Sequence, residues 1–298
     1  VNAPAFRAGF VCFVGRPNAG KSTLTNAIVG QKIAITSSRP QTTRHVVRGV
    51  LNQDNAQLVL VDTPGMHKPK TLLGERLNDL VRATWSEVDV IGLCIPADES
   101  TGPGDRFIAA EIAELKGVVV AVVTKTDLVS RARLAEQLLA VSRLGDFADV
   151  VPVSAVSGDQ LDVLVRVMAG HLPPSPQLYP DGMITDEPEQ VMVAELIREA
   201  ALEGVRDELP HSIAVVVEEM VPVEGRSEMV KIYADIYVER TSQKSIVIGH
   251  QGSRLRDVGI QARREIEALL GVRVYLDLHV RVAKEWQRDP RQLRKLGF

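Results

Sequence analysis

At 298 residues the chain is long enough for about two domains with a core each, and 45% hydrophobic and 24% charged residues are ordinary for a globular protein in water. The net charge of −3 conceals an imbalance: residues 186–239 carry 4 basic and 14 acidic groups, whereas residues 240–298 carry 13 and 6. The two cysteines, Cys12 and Cys94, sit in apolar runs, which points to buried thiols in a reducing compartment and away from a disulfide framework. No run reaches the roughly 18 apolar residues of a membrane span, and VNAPAFRAGF lacks the layout of a signal peptide. A cytoplasmic location is expected, with peripheral membrane contact left open.

The first predicted strand, around Phe10–Val14, runs into Gly15-Arg16-Pro17-Asn18-Ala19-Gly20-Lys21-Ser22-Thr23, a G-x-x-x-x-G-K-[ST] phosphate loop. The glycines let the backbone curl so that successive N–H groups face phosphate oxygens, and the helix that follows adds its positive N-terminal end. Lys21 is expected at the β- and γ-phosphates and Ser22 on Mg²⁺. The helix continues to Val29 and Gly30 can end it. Thr36–Arg44 is polar and lies between this helix and the next strand, where a nucleotide-sensing switch has to be.

Residues 46–52 and 56–62 flank a turn at Asp54-Asn55 and read as a hairpin. It ends in Asp62-Thr63-Pro64-Gly65. Asp62 can hold Mg²⁺, generally through water, and the Gly65 N–H can meet the γ-phosphate. The near-continuous apolar runs 90–97 and 118–128 suit strands covered on both faces of a parallel sheet, with an amphipathic helix over Asp105–Leu115 between them. The second run delivers Thr124-Lys125-Thr126-Asp127, where Asp127 can accept from guanine N1–H and the exocyclic amine, a donor pair adenine lacks. A last strand, Val150–Val153, leads to Ser154-Ala155-Val156-Ser157-Gly158, a tight loop suited to guanine O6, and a helix Leu161–His171 closes the domain.

GRPNAGKS, DTPG, TKTD and SAVSG in that order resemble the translation-factor-like branch of P-loop GTPases. The resemblance implies an α/β domain, with a mixed, mostly parallel sheet and helices on both faces, that binds and slowly hydrolyses GTP to GDP. It also makes PQTTR a switch I segment and Thr43, or less favourably Thr42, the metal-sensing threonine. Two positions depart from the pattern. Thr124 stands where the family has Asn, so guanine affinity is expected to be weaker while Asp127 keeps the selectivity. Met66 stands where many GTPases place a water-orienting glutamine, so another device is needed. In relatives with the same P-N-x-G-K-S wording, the residue matching Asn18 ligates K⁺; a loop-stabilising amide is the alternative here. His67 is read as a solvent-facing switch residue rather than a base. The expected catalytic set is therefore Lys21, Thr43, Gly65 and Asn18.

LPPSPQLYPDG (172–182) carries four prolines and reads as a semi-rigid linker, placing a nucleotide domain at 1–172, the linker at 173–185 and a second domain at 186–298. Past it a helix is expected over about 188–205, then a hairpin of 211–223 and 229–239, a short helix ending at Ile246-Val247-Ile248, the loop Gly249-His250-Gln251-Gly252, a helix Ser253–Leu270 and a final alternating strand. This α-β-β-α-α-β order with I-G-x-x-G resembles a type II KH domain, an α+β fold whose two glycines let a single-stranded backbone approach. Lys244, Ile248, Arg254, Arg256, Arg263 and Arg264 surround the loop as expected RNA contacts. The tail, with Trp286, Leu293, Leu296 and Phe298, either packs on the KH sheet or touches RNA or membrane.

A GTPase domain followed by one KH domain resembles the Era-type bacterial GTPases over essentially the whole chain. The resemblance implies a monomer that uses GTP/GDP and Mg²⁺, binds near the 3′ end of 16S rRNA and acts in small-subunit maturation, with membrane association in the family. Two other readings stay open: an RNA-binding adaptor at the envelope or in cell-cycle control whose nucleotide is mainly structural, and an ATPase, which Asp127 disfavours.

Overall fold

Runs of β-branched residues with no polar alternation must be covered on both sides, and the first half of the chain does this. The computed structural model describes residues 5–36, 42–66, 69–205, 209–223 and 225–298. The chain divides into two units, the first comprising Val1–Thr36, Thr43–Lys68 and Leu77–Asp186, the second Ser37–Thr42, Pro69–Arg76 and Glu187–Phe298.

In the first unit, strands β1 (Arg7–Val14), β2 (Val47–Gln53), β3 (Ala56–Asp62), β4 (Val90–Pro96), β5 (Val118–Thr124) and β6 (Asp149–Pro152) form a sheet in the order β2-β3-β1-β4-β5-β6. All neighbours are parallel except the β2–β3 hairpin. Helices α1 (Lys21–Val29), α2 (Leu72–Glu87) from Leu77 onwards, α3 (Pro103–Ala113), α4 (Arg131–Ser142) and α5 (Leu161–His171) complete it; residues 72–76 of α2 group with the second unit. Successive β1 side chains point to opposite faces. Val11 and Phe13 join Leu24 and Ile28 of α1 and Leu164 and Met168 of α5. Cys12 and Val14 join Val81 and Trp85 of α2, Ile108 of α3 and Val141 of α4. This sets the carboxyl ends of β1, β3 and β5 along one edge, where the loops of an open α/β sheet bind ligands. Gly30 ends α1 in the left-handed region as expected, at φ 77°. Helices α2 and α4 lie outside the sequence expectations.

The proline-rich stretch belongs to the first unit and is hydrogen-bonded to it. Val50 N–H donates to the Ile184 carbonyl at 2.7 Å, and Thr185 Oγ1 donates to the Arg48 carbonyl at 2.6 Å. Gln57, fully buried, accepts from the Leu178 and Tyr179 N–H groups at 2.8 and 2.9 Å and donates to the Tyr179 carbonyl at 2.9 Å.

The second unit contains α6 (Glu189–Leu202), α7 (Leu209–Ser212), β7 (Ala214–Val223), β8 (Arg226–Val238), α8 (Thr241–Ile248), α9 (Ser253–Leu270), β9 (Arg273–Val282) and α10 (Pro290–Lys295). β8 is the central strand, antiparallel to β7 and parallel to β9. Ile232, Ala234, Ile236 and Val238, every second residue of β8, are buried, as are Val258, Ala262 and Ile266 at four-residue spacing on α9. The tail packs on its own unit: Trp286 is fully buried, its indole N–H donates to the Ser212 carbonyl at 3.0 Å, and its ring stacks on Phe298 with centroids 5.7 Å apart. Leu293 and Leu296 are buried with it.

Candidate functional site

The phosphate loop is built by backbone that only certain residues tolerate. A Cβ on Gly15 would stand 2.6 Å from the Cys94 carbonyl, and Gly20 sits at φ 90°. Asn18 takes the left-handed region at φ 64°, which asparagine tolerates better than most residues. Ala19 is buried beneath the loop, Pro17 is half-buried, and Thr23 is exposed on the first turn of α1. Lys21 is buried, and its Nζ reaches back across the loop to donate to the carbonyls of Gly15 at 3.2 Å and Arg16 at 2.9 Å. Burial pushes its pKa down, with Asp62 opposing.

The Arg16 side chain is committed sideways. Its Nε donates to Asp105 at 2.8 Å and its Nη2 to Glu99 at 3.0 Å. Asp105 is itself buried and accepts the Gly102 N–H at the start of α3. Arg16 therefore contributes backbone to the cradle and ties the loop to α3. Asp105 is expected from the sequence only as the start of a helix, not as the partner of Arg16; the G-P-G-D wording of a capped helix start was its signal.

Ser22, Thr43 and Asp62 converge. Ser22 Oγ donates to Asp62 Oδ2 at 2.8 Å, Thr43 Oγ1 donates to the same oxygen at 3.1 Å, and the two hydroxyls are 3.0 Å apart. Asp62 Oδ1 is buried with no hydrogen-bond partner among the described residues. Burial raises the Asp62 pKa, opposed by Ser22, Lys21 and Thr43. Three hard oxygens and one orphaned carboxylate oxygen fit a small divalent cation such as Mg²⁺. Of the two threonines considered, Thr43 is the one in this cluster. Asn26 shapes the approach to it, accepting from the Ile33 and Ala34 N–H groups at 3.0 Å each.

Thr63 and Pro64 are buried behind Asp62, and Gly65 passes close to the loop, where a Cβ would lie 3.4 Å from Lys21 Nζ and from Pro17. Met66 is buried in the same apolar layer as Val14, Val61 and Trp85, so it is a packing residue. His67 and the Ser37–Gln41 part of the switch segment lie outside the described residues.

At the end expected to read the base, Ser154 Oγ donates to Asp127 Oδ1 at 2.6 Å and accepts the Ser157 N–H at 3.1 Å. The loop closes through Gly158 N–H to the Ser154 carbonyl at 3.0 Å, leaving half-buried Ala155 and exposed Val156 at its crest. Lys125 occupies the left-handed region at φ 58°, with Nζ 3.9 Å from Asp98. Thr124 donates to the Ala19 carbonyl at 2.8 Å.

In the second unit Gly249 ends α8 at φ 75°, and a Cβ there would meet Arg254 Cβ at 2.7 Å. Gly252, at φ 77°, faces open space. One glycine thus seats the loop on α9 and the other keeps its backbone approachable, with Gln251 between them at φ 50°. His250, Gln251, Arg256, Arg263 and Arg264 are exposed, and Lys244 and Ile248 are half-buried. Arg254 is placed otherwise than expected. Its Nη2 donates to the carbonyls of Ala201 and Glu203 at the end of α6, at 3.1 and 2.6 Å, and burial lowers its pKa. It holds the loop to α6.

A family model described as a 50S ribosome-binding GTPase matches residues 10–125, and a KH domain model matches residues 208–287. The GTPase Era of Streptomyces coelicolor is 67% identical over 98% of this chain and 95% of its own, and that of Mycobacterium sp. strain KMS is 64% identical over 98% and 99%. Among solved structures, Aquifex aeolicus Era bound to GDP·AlF4⁻ superposes with TM-score 0.94 at 37% identity, covering 98% of this chain and 99% of that one. Era in complex with MgGDPNP and nucleotides 1506–1542 of 16S ribosomal RNA does so with 0.94 at 38%, with the same coverage. With that identity sustained through both units, the chain belongs to the Era family of GTPases.

Proposed function

We propose that this GTPase is a nucleotide-controlled clamp for single-stranded RNA, acting as a cytoplasmic monomer on the 3′ end of small-subunit ribosomal RNA during subunit maturation. The observation that carries the reading is the Gly249–Gly252 loop, whose backbone opens at the start of a helix α9 that carries exposed Arg256, Arg263 and Arg264, in a chain 38% identical to an Era bound to such an RNA.

The residues divide the work. Lys21 and the loop N–H groups hold the β- and γ-phosphates, and Asp127, steadied by Ser154, accepts from the guanine edge. Ser22, Thr43 and Asp62 hold Mg²⁺, which neutralises phosphate charge when bound. Met66 is spent in the core, so charge at the attacked phosphate is met by other means; Asn18 as a K⁺ ligand is the proposed one, and equal turnover in K⁺ and Na⁺ buffers excludes it.

Coupling runs through segments that flank the nucleotide motifs yet group with the second unit, Thr42 and Pro69–Arg76 among them. Arg198 of α6, buried and held by Glu195 at 2.6 and 2.8 Å, donates to the Thr42 carbonyl. Leu73 N–H donates to the Gln287 carbonyl at 3.0 Å and Arg76 to Phe298 at 2.8 Å. Thr42 is covalently joined to Thr43, so ordering Thr43 around a cation changes what α6 is bonded to. The test is the affinity of the full chain for a single-stranded 16S 3′-end oligonucleotide with GDP and with GDPNP. A difference of about tenfold is expected, and equal affinities refute the coupling.

No helix among the described residues is long and apolar enough to cross a membrane, and Trp286, Leu293 and Leu296 of the tail are consumed by packing. Peripheral membrane contact, as part of this proposal, falls to other surfaces.

A further inference from the structure

Thr124 stands at the carboxyl end of β5, three residues before Asp127, with its side chain buried. Its hydroxyl donates to the Ala19 carbonyl at 2.8 Å, and its own carbonyl accepts the Ala97 N–H at 2.8 Å. A threonine hydroxyl has one hydrogen to give and two lone pairs to receive with. That single hydrogen is committed to the peptide joining Ala19 to Gly20. The peptide is planar and trans, so its C=O and N–H point to opposite sides. Anchoring the carbonyl on Thr124 therefore fixes the direction of the Gly20 N–H, at a residue whose φ of 90° leaves the backbone otherwise free to turn.

The consequence for the base is chemical. Guanine offers donors on the edge that Asp127 reads, and two acceptors, N7 and O6, on its other edge. An acceptor can be bonded only by a donor, and Thr124 has none left. We infer that Thr124 is a positioning residue of the phosphate loop, and that the site selects guanine without reading N7. The inference rests on the base-reading role proposed for Asp127.

The experiment is calorimetry on the nucleotide-stripped full chain with GDP and with 7-deaza-GDP, which replaces N7 by a C–H and keeps O6, N1–H and the exocyclic amine. Wild type is expected to bind the two within about twofold, since a lost hydrogen bond costs about tenfold when it was made. Thr124→Val orphans the Ala19 carbonyl and weakens both ligands by the same factor, on the order of tenfold, while Thr124→Ser restores both. Wild type binding 7-deaza-GDP more than about fivefold more weakly than GDP overturns the inference and needs no variant to do so. Unchanged affinities in Thr124→Val overturn the positioning role. An Asp127→Asn arm separates the premise: it is expected to lose GDP and 7-deaza-GDP alike, and unchanged GDP binding there removes the base-reading assignment itself, whatever the Thr124 variants do.

Discussion

Replacing Gln57 by Leu keeps the side chain's approximate volume and removes every polar atom from it. Three of the bonds lost are to the proline-rich segment: two N–H groups, of Leu178 and Tyr179, and the Tyr179 carbonyl. A fourth, to Asn52 at 2.7 Å, lies within the β2–β3 hairpin. At about 0.5–1.5 kcal/mol net per bond the sum is about 2–6 kcal/mol. Leu178 is exposed, so part of the segment rehydrates when released, and the expected loss is about 2–4 kcal/mol. The chain has two tryptophans, Trp85 in the first unit and Trp286 in the second, which makes the assay selective. In a Trp286→Phe background, urea unfolding followed by Trp85 fluorescence should show the loss, and amide exchange at Leu178 and Tyr179 should accelerate. The bonds from Val50 to Ile184 and from Thr185 to Arg48 remain, so new protease cleavage should be confined near Leu178. A change below about 0.5 kcal/mol with unaltered protection of both amides would refute the anchoring.

Trp286→Ala removes a fully buried indole, its bond to Ser212 and its stack on Phe298, and should destabilise the second unit by about 3–5 kcal/mol, measured by denaturant melts followed by circular dichroism. Gly249→Ala forces a Cβ to 2.7 Å from Arg254 Cβ and should disrupt the loop and its RNA affinity. Gly252→Ala meets open space and should cost only the roughly 1–2 kcal/mol of a left-handed non-glycine residue; equal costs would contradict the division of labour between them. Burial pushes the Cys12 and Cys94 thiols up to about 12, so native protein should resist thiol reagents at pH 8 that label the unfolded chain at once. Both are raised in the folded state, so their contribution to stability is complete below the unfolded value near 8.5 and is lost as pH rises towards about 12. Midpoints that rise from pH 8 to 10 in wild type, relative to a Cys12→Ala, Cys94→Ala double variant, would contradict that sign.

Strands were legible where covering both faces leaves no other use for the residues, as in Val90–Pro96 and Val118–Thr124. The order of the phosphate loop, Asp62 and Asp127 was legible because each needs a strand end at one sheet edge. Helix α2 carries a stripe at Leu73, Leu77, Val81 and Trp85, but Gly74 and Thr84 weaken it, and a reading that follows motifs passes over it. The proline-rich segment was legible only as something that cannot be helix or central strand. Proline says what a backbone cannot donate, and nothing about an amide more than a hundred residues upstream that receives what its neighbours can.

The same limit governs charge. The excess of seven basic groups in residues 240–298 suggests a surface wholly given to phosphate. Yet Arg254 caps α6, and Arg281 donates to buried Asp235 on the neighbouring strand. A guanidinium already bonded to a helix end or a carboxylate is not available to neutralise a phosphate, and so displaces none of the counterions condensed on the RNA. Of the basic groups not committed in this way, exposed Arg256 on the first turn of α9, next to approachable Gly252, and exposed Arg263 and Arg264 about two turns further along the same helix are the ones proposed for the RNA. Counting residues of one sign gives an upper bound on electrostatic attraction, and only the bonds those residues already make reduce it to the part that acts.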